Sequence, residues 1–140
     1  MEQRIEDVMT PNPVTMEAAS TVVDAARAMR NYDIGAVVVL DGAGNLHGIV
    51  TDRDVAVRVV AEDRDPGRVE VGEICSKAMV TISPADEVAM AVRLMREQAL
   101  RRLPVVHRGW PVGIVSLGDL ALERDPGSAL ADISTAPANT

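Results

Sequence analysis

Two short motifs in this sequence each place a hydroxyl and a carboxylate three residues apart. Residues 48–54 read GIVTDRD, and residues 113–119 read GIVSLGD, 65 positions later. The leading glycine permits a tight entry into a strand, and the two β-branched residues predict a short buried strand. The hydroxyl and the Asp that follow are typical of a helix start. Each motif therefore predicts a strand-to-helix corner, where outward-pointing backbone N–H groups can bind phosphate.

The carboxylates of these corners fit a sugar as well as a helix cap. Asp54 or Asp119 can accept hydrogen bonds from two neighbouring hydroxyls, as a ribose requires. Arg53, beside the first carboxylate, can neutralise a phosphate or remain a solvated residue of the first helical turn. The alternative is structural, because hydroxyl-x-x-Asp is also a capping box that bonds its own backbone. The residues alone leave both interpretations open.

The two corners belong to a longer repeat. Residues 7–10 match residues 73–76, and the short predicted strand at 14–16 matches that at 80–82. Apolar residues at i, i+3, i+4 and i+7 from Val22, and again from Val88, predict two helices with one buried face each. An apolar strand, a hairpin loop and the corner motif complete each copy. Pro104 lies in the second apolar strand and has no backbone N–H, so it is expected near a sheet edge or at the start of the strand.

Each copy thus has the order β-α-β-β-α in about 60 residues, a size that is marginal for an independent fold. We predict an α/β (α+β) fold in which two such copies, residues 1–66 and 67–128, pack as a pair. Residues 129–140 are predicted to be a short closing segment and a tail. Within them, residues 131–135 echo residues 6–10.

Composition narrows the classes of function. The chain has 140 residues, no Phe, one Tyr, one Trp and a net charge of −7, which disfavours both base stacking and binding to nucleic-acid phosphates. The single cysteine, Cys75, is expected to be a buried thiol in a reducing cytoplasm. Neither His47 nor His107 has a nearby ligand pattern for a metal. No nucleophile–base pair, secretory leader or membrane-length apolar run is recognised, so we expect no enzyme and no membrane contact.

The paired corner motifs, VMTP at residues 8–11 and RRLPVV at residues 101–106 resemble the CBS-domain family, named for cystathionine β-synthase. The resemblance extends over about residues 5–128 and occurs twice. It implies a pseudo-twofold pair of CBS motifs with clefts that bind AMP, ADP, ATP, S-adenosylmethionine or NAD. It also implies a homodimer.

The resemblance assigns roles to particular residues. Asp54 and Asp119 would hold the ribose, and Thr51 and Ser116 would contact ribose or phosphate. Guanidinium groups pair bidentately with phosphate, so Arg101 and Arg102 are phosphate candidates as well; their alternative is a charged strand edge that blocks aggregation. The backbone lining the adenine would come, in the two sites, from Thr15, Met16, Gly35 and Ala36, and from Thr81, Ile82, Arg101, Arg102 and Leu103.

Together these features predict a non-catalytic regulatory module that senses adenine nucleotides and acts on a protein partner. The alternative is a structural or interaction dimer that has kept the fold and lost the ligand. Such a protein would act through its dimer surface and the edge around Trp110. A side chain such as Arg101 or Met16 lying across the cleft would favour this alternative.

Overall fold

The computed structural model describes residues 3–77 and 80–124, which form two compact units. The copy-one unit comprises residues 13–77, and the copy-two unit comprises residues 3–12 and 80–124. In chain order the elements are α1 (Ile5–Val8), β1 (Thr10–Pro11), β2 (Thr15–Glu17), α2 (Val22–Tyr32), β3 (Ala36–Leu40), β4 (Leu46–Thr51), α3 (Asp52–Val55) with a π-helical continuation (Ala56–Val60), α4 (Val71–Ile74), β5 (Ser76–Lys77), α5 (Val88–Gln98), β6 (Arg102–His107), β7 (Trp110–Ser116) and α6 (Leu117–Arg124). The predicted mixed α/β fold is confirmed.

The copy-one unit has a four-stranded sheet in the order β2-β3-β4-β5, in which β2 is parallel to β3 and the other pairs are antiparallel. Helix α2 begins as the sequence predicts, because the Thr21 hydroxyl accepts a hydrogen bond from the Asp24 backbone N–H at 3.2 Å. Its buried face is narrower than predicted: Val22 and Ala25 are buried, whereas Ala26 is exposed.

The copy-two unit has an antiparallel sheet in the order β1-β7-β6. The strand predicted at residues 80–82 is reduced to a single parallel bridge between Ile82 and Val105. Strand β6 ends the three-stranded sheet, as its proline predicts. Pro104 has no N–H to offer, but its carbonyl accepts from Ile82 N at 3.1 Å.

Two four-residue helices each pack on a unit other than the copy that they precede in sequence. Helix α1 precedes copy one and packs in the copy-two unit, and α4 precedes copy two and packs in the copy-one unit. We call them the anchor helices. Ile5 of α1 is buried in the copy-two core, and Val71 and Ile74 of α4 are buried in the copy-one core. Backbone hydrogen bonds hold both, from Ile5 N to Asp86 O at 2.9 Å and from Val71 N to Ser20 O at 2.8 Å. The sequence repeat places the boundary between the copies at residues 66 and 67. The compact units differ from this division because each one includes the anchor helix that precedes the other copy. Residues 129–140 lie outside the described part of the chain.

The strand that follows each anchor helix explains why Gly48 and Gly113, the first residues of the two corner motifs, are glycines. Gly48 pairs with Lys77, and a Cβ at Gly48 would collide with the Ser76 carbonyl oxygen. Gly113 pairs with Pro11, and a Cβ there would collide with the Met9 side chain. Neither glycine has a positive φ. The requirement is therefore the close approach of a neighbouring strand, and not the tight strand entry expected from sequence.

Ala99 caps the C-terminus of helix α5 and adopts the left-handed conformation with φ 53° and ψ 45°. This conformation costs an L-residue about 1–2 kcal/mol, and glycine adopts it without that cost. Glycine also has greater freedom in the unfolded chain, which offsets part of this gain. We therefore expect Ala99→Gly to raise the free energy of unfolding, measured by urea denaturation, by about 1 kcal/mol. Ala89→Gly, an exposed position inside the same helix, should lower it by about 1 kcal/mol. Equal effects of the two changes would contradict the explanation.

Candidate functional site

In each unit the corner motif lies at the end of one hairpin strand, beside the start of the strand that precedes it. Thr51, at the end of β4, is the partner of Ala36 at the start of β3. Ser116, at the end of β7, is the equivalent partner of Arg102 at the start of β6. The fold therefore brings the predicted hydroxyls next to the strand starts that were predicted to line the adenine. We call these sites the copy-one corner and the copy-two corner.

The hydroxyl and the carboxylate of the copy-one corner form a complete capping box. The Thr51 backbone N–H donates to Asp54 Oδ2 at 2.8 Å, and the Asp54 N–H donates to the Thr51 hydroxyl at 3.2 Å. The second carboxylate oxygen, Oδ1, lies 3.7 Å from Arg58 Nε, and Arg58 also donates to the Ile74 carbonyl at 2.8 Å. Asp54 is 9% exposed. Both of its oxygens therefore have partners within the unit.

The copy-two corner repeats the capping box with one difference. The Ser116 N–H donates to Asp119 Oδ2 at 2.8 Å, and the Asp119 N–H donates to the Ser116 hydroxyl at 3.1 Å. Within the described part of the chain, Asp119 Oδ1 has no hydrogen-bond donor or cationic partner. Both corners thus form the capping box that the sequence also allows. In the copy-two corner it leaves one oxygen of a partly exposed carboxylate able to accept from a ligand.

Asp52 places a second carboxylate at the copy-one corner. Its backbone N–H donates to the Gly35 carbonyl at 3.0 Å, and its Oδ1 accepts from the Arg53 N–H at 2.9 Å. A Cβ built on Gly35 would lie 3.2 Å from Asp52 Oδ2, so this carboxylate lies against the glycine. A negatively charged side chain therefore lies beside part of the backbone that was expected to line an adenine. Arg53 is exposed, and no carboxylate among the described residues pairs with it.

The equivalent positions of the copy-two corner carry different chemistry. Leu117 takes the place of Asp52, and its N–H donates to the Arg101 carbonyl at 2.9 Å. The Leu117 side chain is 45% exposed, and Arg101 and Arg102 are both exposed. Among the side chains that the structure describes, neither arginine has a carboxylate partner. This corner therefore combines an apolar surface, two cationic groups and one available carboxylate oxygen.

The remaining predicted site residues differ in how far their side chains are buried. Thr15 and Met16 lie on β2 opposite Val38 and Val39, and Met16 packs against the copy-one core. In the copy-two unit Thr81 is exposed, whereas the Ile82 and Leu103 side chains lie in the core, so only their backbone can meet a ligand.

Sequence reasoning missed Arg58, the partner of Asp54. The four-residue spacing of Asp54 and Arg58 on a helix was the signal that could have found it.

Cys75 is 7% exposed, and burial, together with the negative charge of Asp54, raises the pKa of its thiol. The expectation of a buried thiol is confirmed. Within residues 3–77 and 80–124, no three His, Cys, Asp or Glu side chains are grouped as metal ligands. None of the helices in the same residues has the length and apolar character needed to cross a bilayer.

Comparison with known proteins gives the family. The CBS domain model matches residues 5–61 and 71–124. CBS domain-containing protein YhcV of Bacillus subtilis (strain 168) is 39% identical over 134 residues, which cover 93% of this chain and 94% of the relative. The crystal structure of Hypoxic Response Protein I with two coordinated zinc ions is 29% identical, covers 85% of this chain and 97% of that chain, and has a TM-score of 0.75.

A second solved structure, the hexameric CBS-CP12 protein from bloom-forming cyanobacteria, is 27% identical. It covers 94% of this chain and 79% of that chain, with a TM-score of 0.77. The duplicated corner motif, the repeated β-α-β-β-α order and these matches agree. The chain belongs to the CBS-domain family and carries two CBS domains.

Proposed function

We propose that this CBS-domain pair binds an adenosine-containing nucleotide and acts as a regulatory module without catalysis of its own. The observation that carries the proposal is the copy-two corner, where the available Asp119 oxygen lies near the start of α6 with Arg101 and Arg102, neither of which pairs with a carboxylate among the described residues. A carboxylate oxygen suits a ribose hydroxyl, and guanidinium groups suit phosphate. AMP, ADP and ATP combine a ribose with phosphate most simply. S-adenosylmethionine has the ribose and no phosphate, and NAD has both but adds a second nucleotide.

The two corners are proposed to differ in affinity. At the copy-one corner, Asp54 Oδ1 is already paired with Arg58, and Asp52 adds negative charge beside Gly35. A phosphate approaching that corner meets a carboxylate, and a ribose must share an oxygen that is already engaged. The copy-two corner has Leu117 in place of Asp52, so the same repulsion is absent. We therefore assign the stronger binding to the copy-two corner.

The second candidate function is a structural or interaction protein that has lost the ligand. Its supporting observation is that both hydroxyl-x-x-Asp pairs are capping boxes, which explains them without any nucleotide. Trp110 is also exposed at the hairpin and offers a contact surface. Under either function we propose a homodimer with a regulated protein partner in a reducing, cytoplasmic setting, where the buried Cys75 remains unpaired.

A ligand series distinguishes the two functions. Thermal unfolding of the full chain is followed with AMP, ADP, ATP, NAD, S-adenosylmethionine, adenosine and inorganic phosphate, and positive shifts are titrated by calorimetry. A ligand at a hundred times its Kd should stabilise the chain by about 2.7 kcal/mol. We expect AMP or a larger adenine nucleotide to bind better than adenosine or phosphate alone. No shift with any nucleotide would favour the interaction protein, and binding of phosphate alone would remove the sugar from the proposal.

A further inference from the structure

One arginine side chain joins the copy-one corner to the anchor helix α4. Arg58 lies on the π-helical continuation of α3, with its Nε 3.7 Å from Asp54 Oδ1. Its Nη1 donates to the carbonyl of Ile74, the last residue of α4, at 2.8 Å. A planar guanidinium group presents several donors in a fixed geometry, so it can contact two acceptors at once. The same side chain therefore contacts the proposed ribose acceptor and the end of an anchor helix.

Helix α4 depends on such contacts because it is a single turn. A helix of four residues is unstable alone, and its last carbonyl groups have no partner within it. The Arg58 guanidinium satisfies one of these carbonyls and places positive charge at the negative end of the helix. A second arginine, Arg64, pairs with Glu73 of α4 at 3.0 Å. Of these two described arginines, Arg58 is the one that also pairs with Asp54.

A ribose at the copy-one corner would compete directly with Arg58. Asp54 Oδ2 accepts from the Thr51 N–H at 2.8 Å, so a ribose hydroxyl must approach Oδ1, the oxygen beside Arg58 Nε. The Arg58 side chain is 50% exposed, so water can solvate the guanidinium when it leaves the carboxylate. Without that carboxylate, the guanidinium loses one of the two contacts that hold it beside Ile74. Occupancy of Asp54 is thus linked to the attachment of α4.

We propose that Arg58 couples the copy-one corner to α4: a ribose bound to Asp54 displaces Arg58, and residues 71–77, which form α4 and β5, loosen. The inference rests on the proposed nucleotide binding. Because linkage is reciprocal, removing Arg58 must both loosen α4 and strengthen ribose binding at this corner. The repeat has a glutamate at the equivalent position 123, so the sequence does not provide the same arginine in copy two.

A mutant cycle on the ligand-free chain tests the link. Asp54→Asn keeps an acceptor for the Thr51 N–H and removes the charge that holds Arg58, so amide exchange in residues 71–77 should become about three- to tenfold faster. Arg58→Gln should speed exchange at least as much, and the double variant should exchange no faster than Arg58→Gln. Arg27→Gln, at an exposed arginine of α2, should leave exchange in these residues unchanged. Additive effects of Asp54→Asn and Arg58→Gln would overturn the link.

The single cysteine provides a second readout, in which charge and mobility act in opposite directions. Cys75 follows α4 directly and is 7% exposed. Burial and the charge of Asp54 raise the pKa of its thiol, whereas the charge of Arg58 lowers it. Loss of the Arg58 charge alone should therefore leave less thiolate and slow the reaction with an aromatic disulfide reagent. If α4 loosens, Arg58→Gln should instead speed this reaction. Slower or unchanged labelling would leave Arg58 only an electrostatic role and would overturn the proposal.

Adenosine tests the response to a ligand, because it has the ribose and no phosphate to meet the Asp52 carboxylate. Asp119→Ala reduces binding at the copy-two corner, so calorimetry in this variant follows adenosine at the copy-one corner. Saturating adenosine should speed amide exchange in residues 71–77. Adding Arg64→Gln, which removes the other arginine contact to α4, should preserve this response. Adding Arg58→Gln should abolish it and lower the Kd for adenosine about three- to tenfold.

The two proposals can fail separately in this experiment. Bound adenosine that leaves exchange in residues 71–77 unchanged, or a response that survives Arg58→Gln, would overturn the coupling. Absence of adenosine binding by calorimetry would contradict the proposed function at this corner and, with it, the ligand response. The mutant cycle needs no ligand, so it still shows whether Arg58 links Asp54 to α4.

Discussion

Replacing Gly48 with alanine is expected to lower the free energy of unfolding by about 2–3 kcal/mol, the upper range for an added methyl group that cannot be accommodated. The new Cβ would collide with the Ser76 carbonyl oxygen, which is backbone and part of the β4–β5 pair, and would also press on the Cys75 sulfur at 3.0 Å. Relief requires β5 to move away, and α4 precedes it directly. Because α4 supplies Val71 and Ile74 to the copy-one core, the cost extends from the sheet into the core. Urea denaturation followed by circular dichroism measures the change.

Two other glycines are matched controls for Gly48. Gly42→Ala, with nothing within 4 Å of the added Cβ, should change stability little. Gly113→Ala should have an intermediate effect, because its Cβ meets the flexible Met9 side chain first and the Thr10 carbonyl at 3.0 Å. The expected order of destabilisation is therefore Gly48, Gly113, Gly42. Similar midpoints for Gly48→Ala and Gly42→Ala would show that β5 is not held as closely as the structure describes.

Asp119→Ala is expected to weaken binding of an adenine nucleotide ten- to a hundredfold, if the copy-two corner is the nucleotide site. Hydrogen bonds to a charged group contribute about 1.5–3 kcal/mol, which corresponds to that range of Kd. Asp54→Ala should have a smaller effect on the same titration, because Asp54 Oδ1 is already paired with Arg58. Isothermal calorimetry with the tightest nucleotide of the series gives both values.

Each of these substitutions also removes a helix cap, worth about 1 kcal/mol, so binding must be separated from stability. Asp7→Ala is the matched control, because it removes the same backbone hydrogen bond from α1 of the copy-two unit. We expect it to lower the unfolding midpoint to a similar extent and to leave Kd unchanged. Equal losses of affinity in Asp7→Ala and Asp119→Ala would identify a general effect of destabilisation. An unchanged Kd in Asp119→Ala would remove this carboxylate from the site.

The sequence predicted the repeat, the main helices and the corner motifs because these depend on local patterns. Val22 and Ala25 are buried at helical spacing, and Thr21 caps α2, as side-chain periodicity and capping chemistry require. The capping box at each corner likewise consists of four consecutive residues, so it can be recognised in the sequence. The family and its mixed α/β fold followed from such motifs taken in pairs.

Two features depended on contacts between residues far apart in sequence, and only the tertiary structure decided them. No local pattern indicates that α1 packs on the later copy and α4 on the earlier one, because a short apolar helix can bury itself on any matching surface. For the same reason the sequence could not give the role of Gly48 and Gly113, which is set by a strand arriving from another part of the chain. The difference between the corners is mostly local: Arg58 lies four residues after Asp54, and Leu117 replaces Asp52, whereas Asp119 keeps an oxygen without a described partner. Only the contact of Asp52 with Gly35 joins residues far apart in sequence. Periodicity and capping determined the elements of this protein, and the packing of distant segments decided which core each anchor helix enters and which strand lies against each motif glycine.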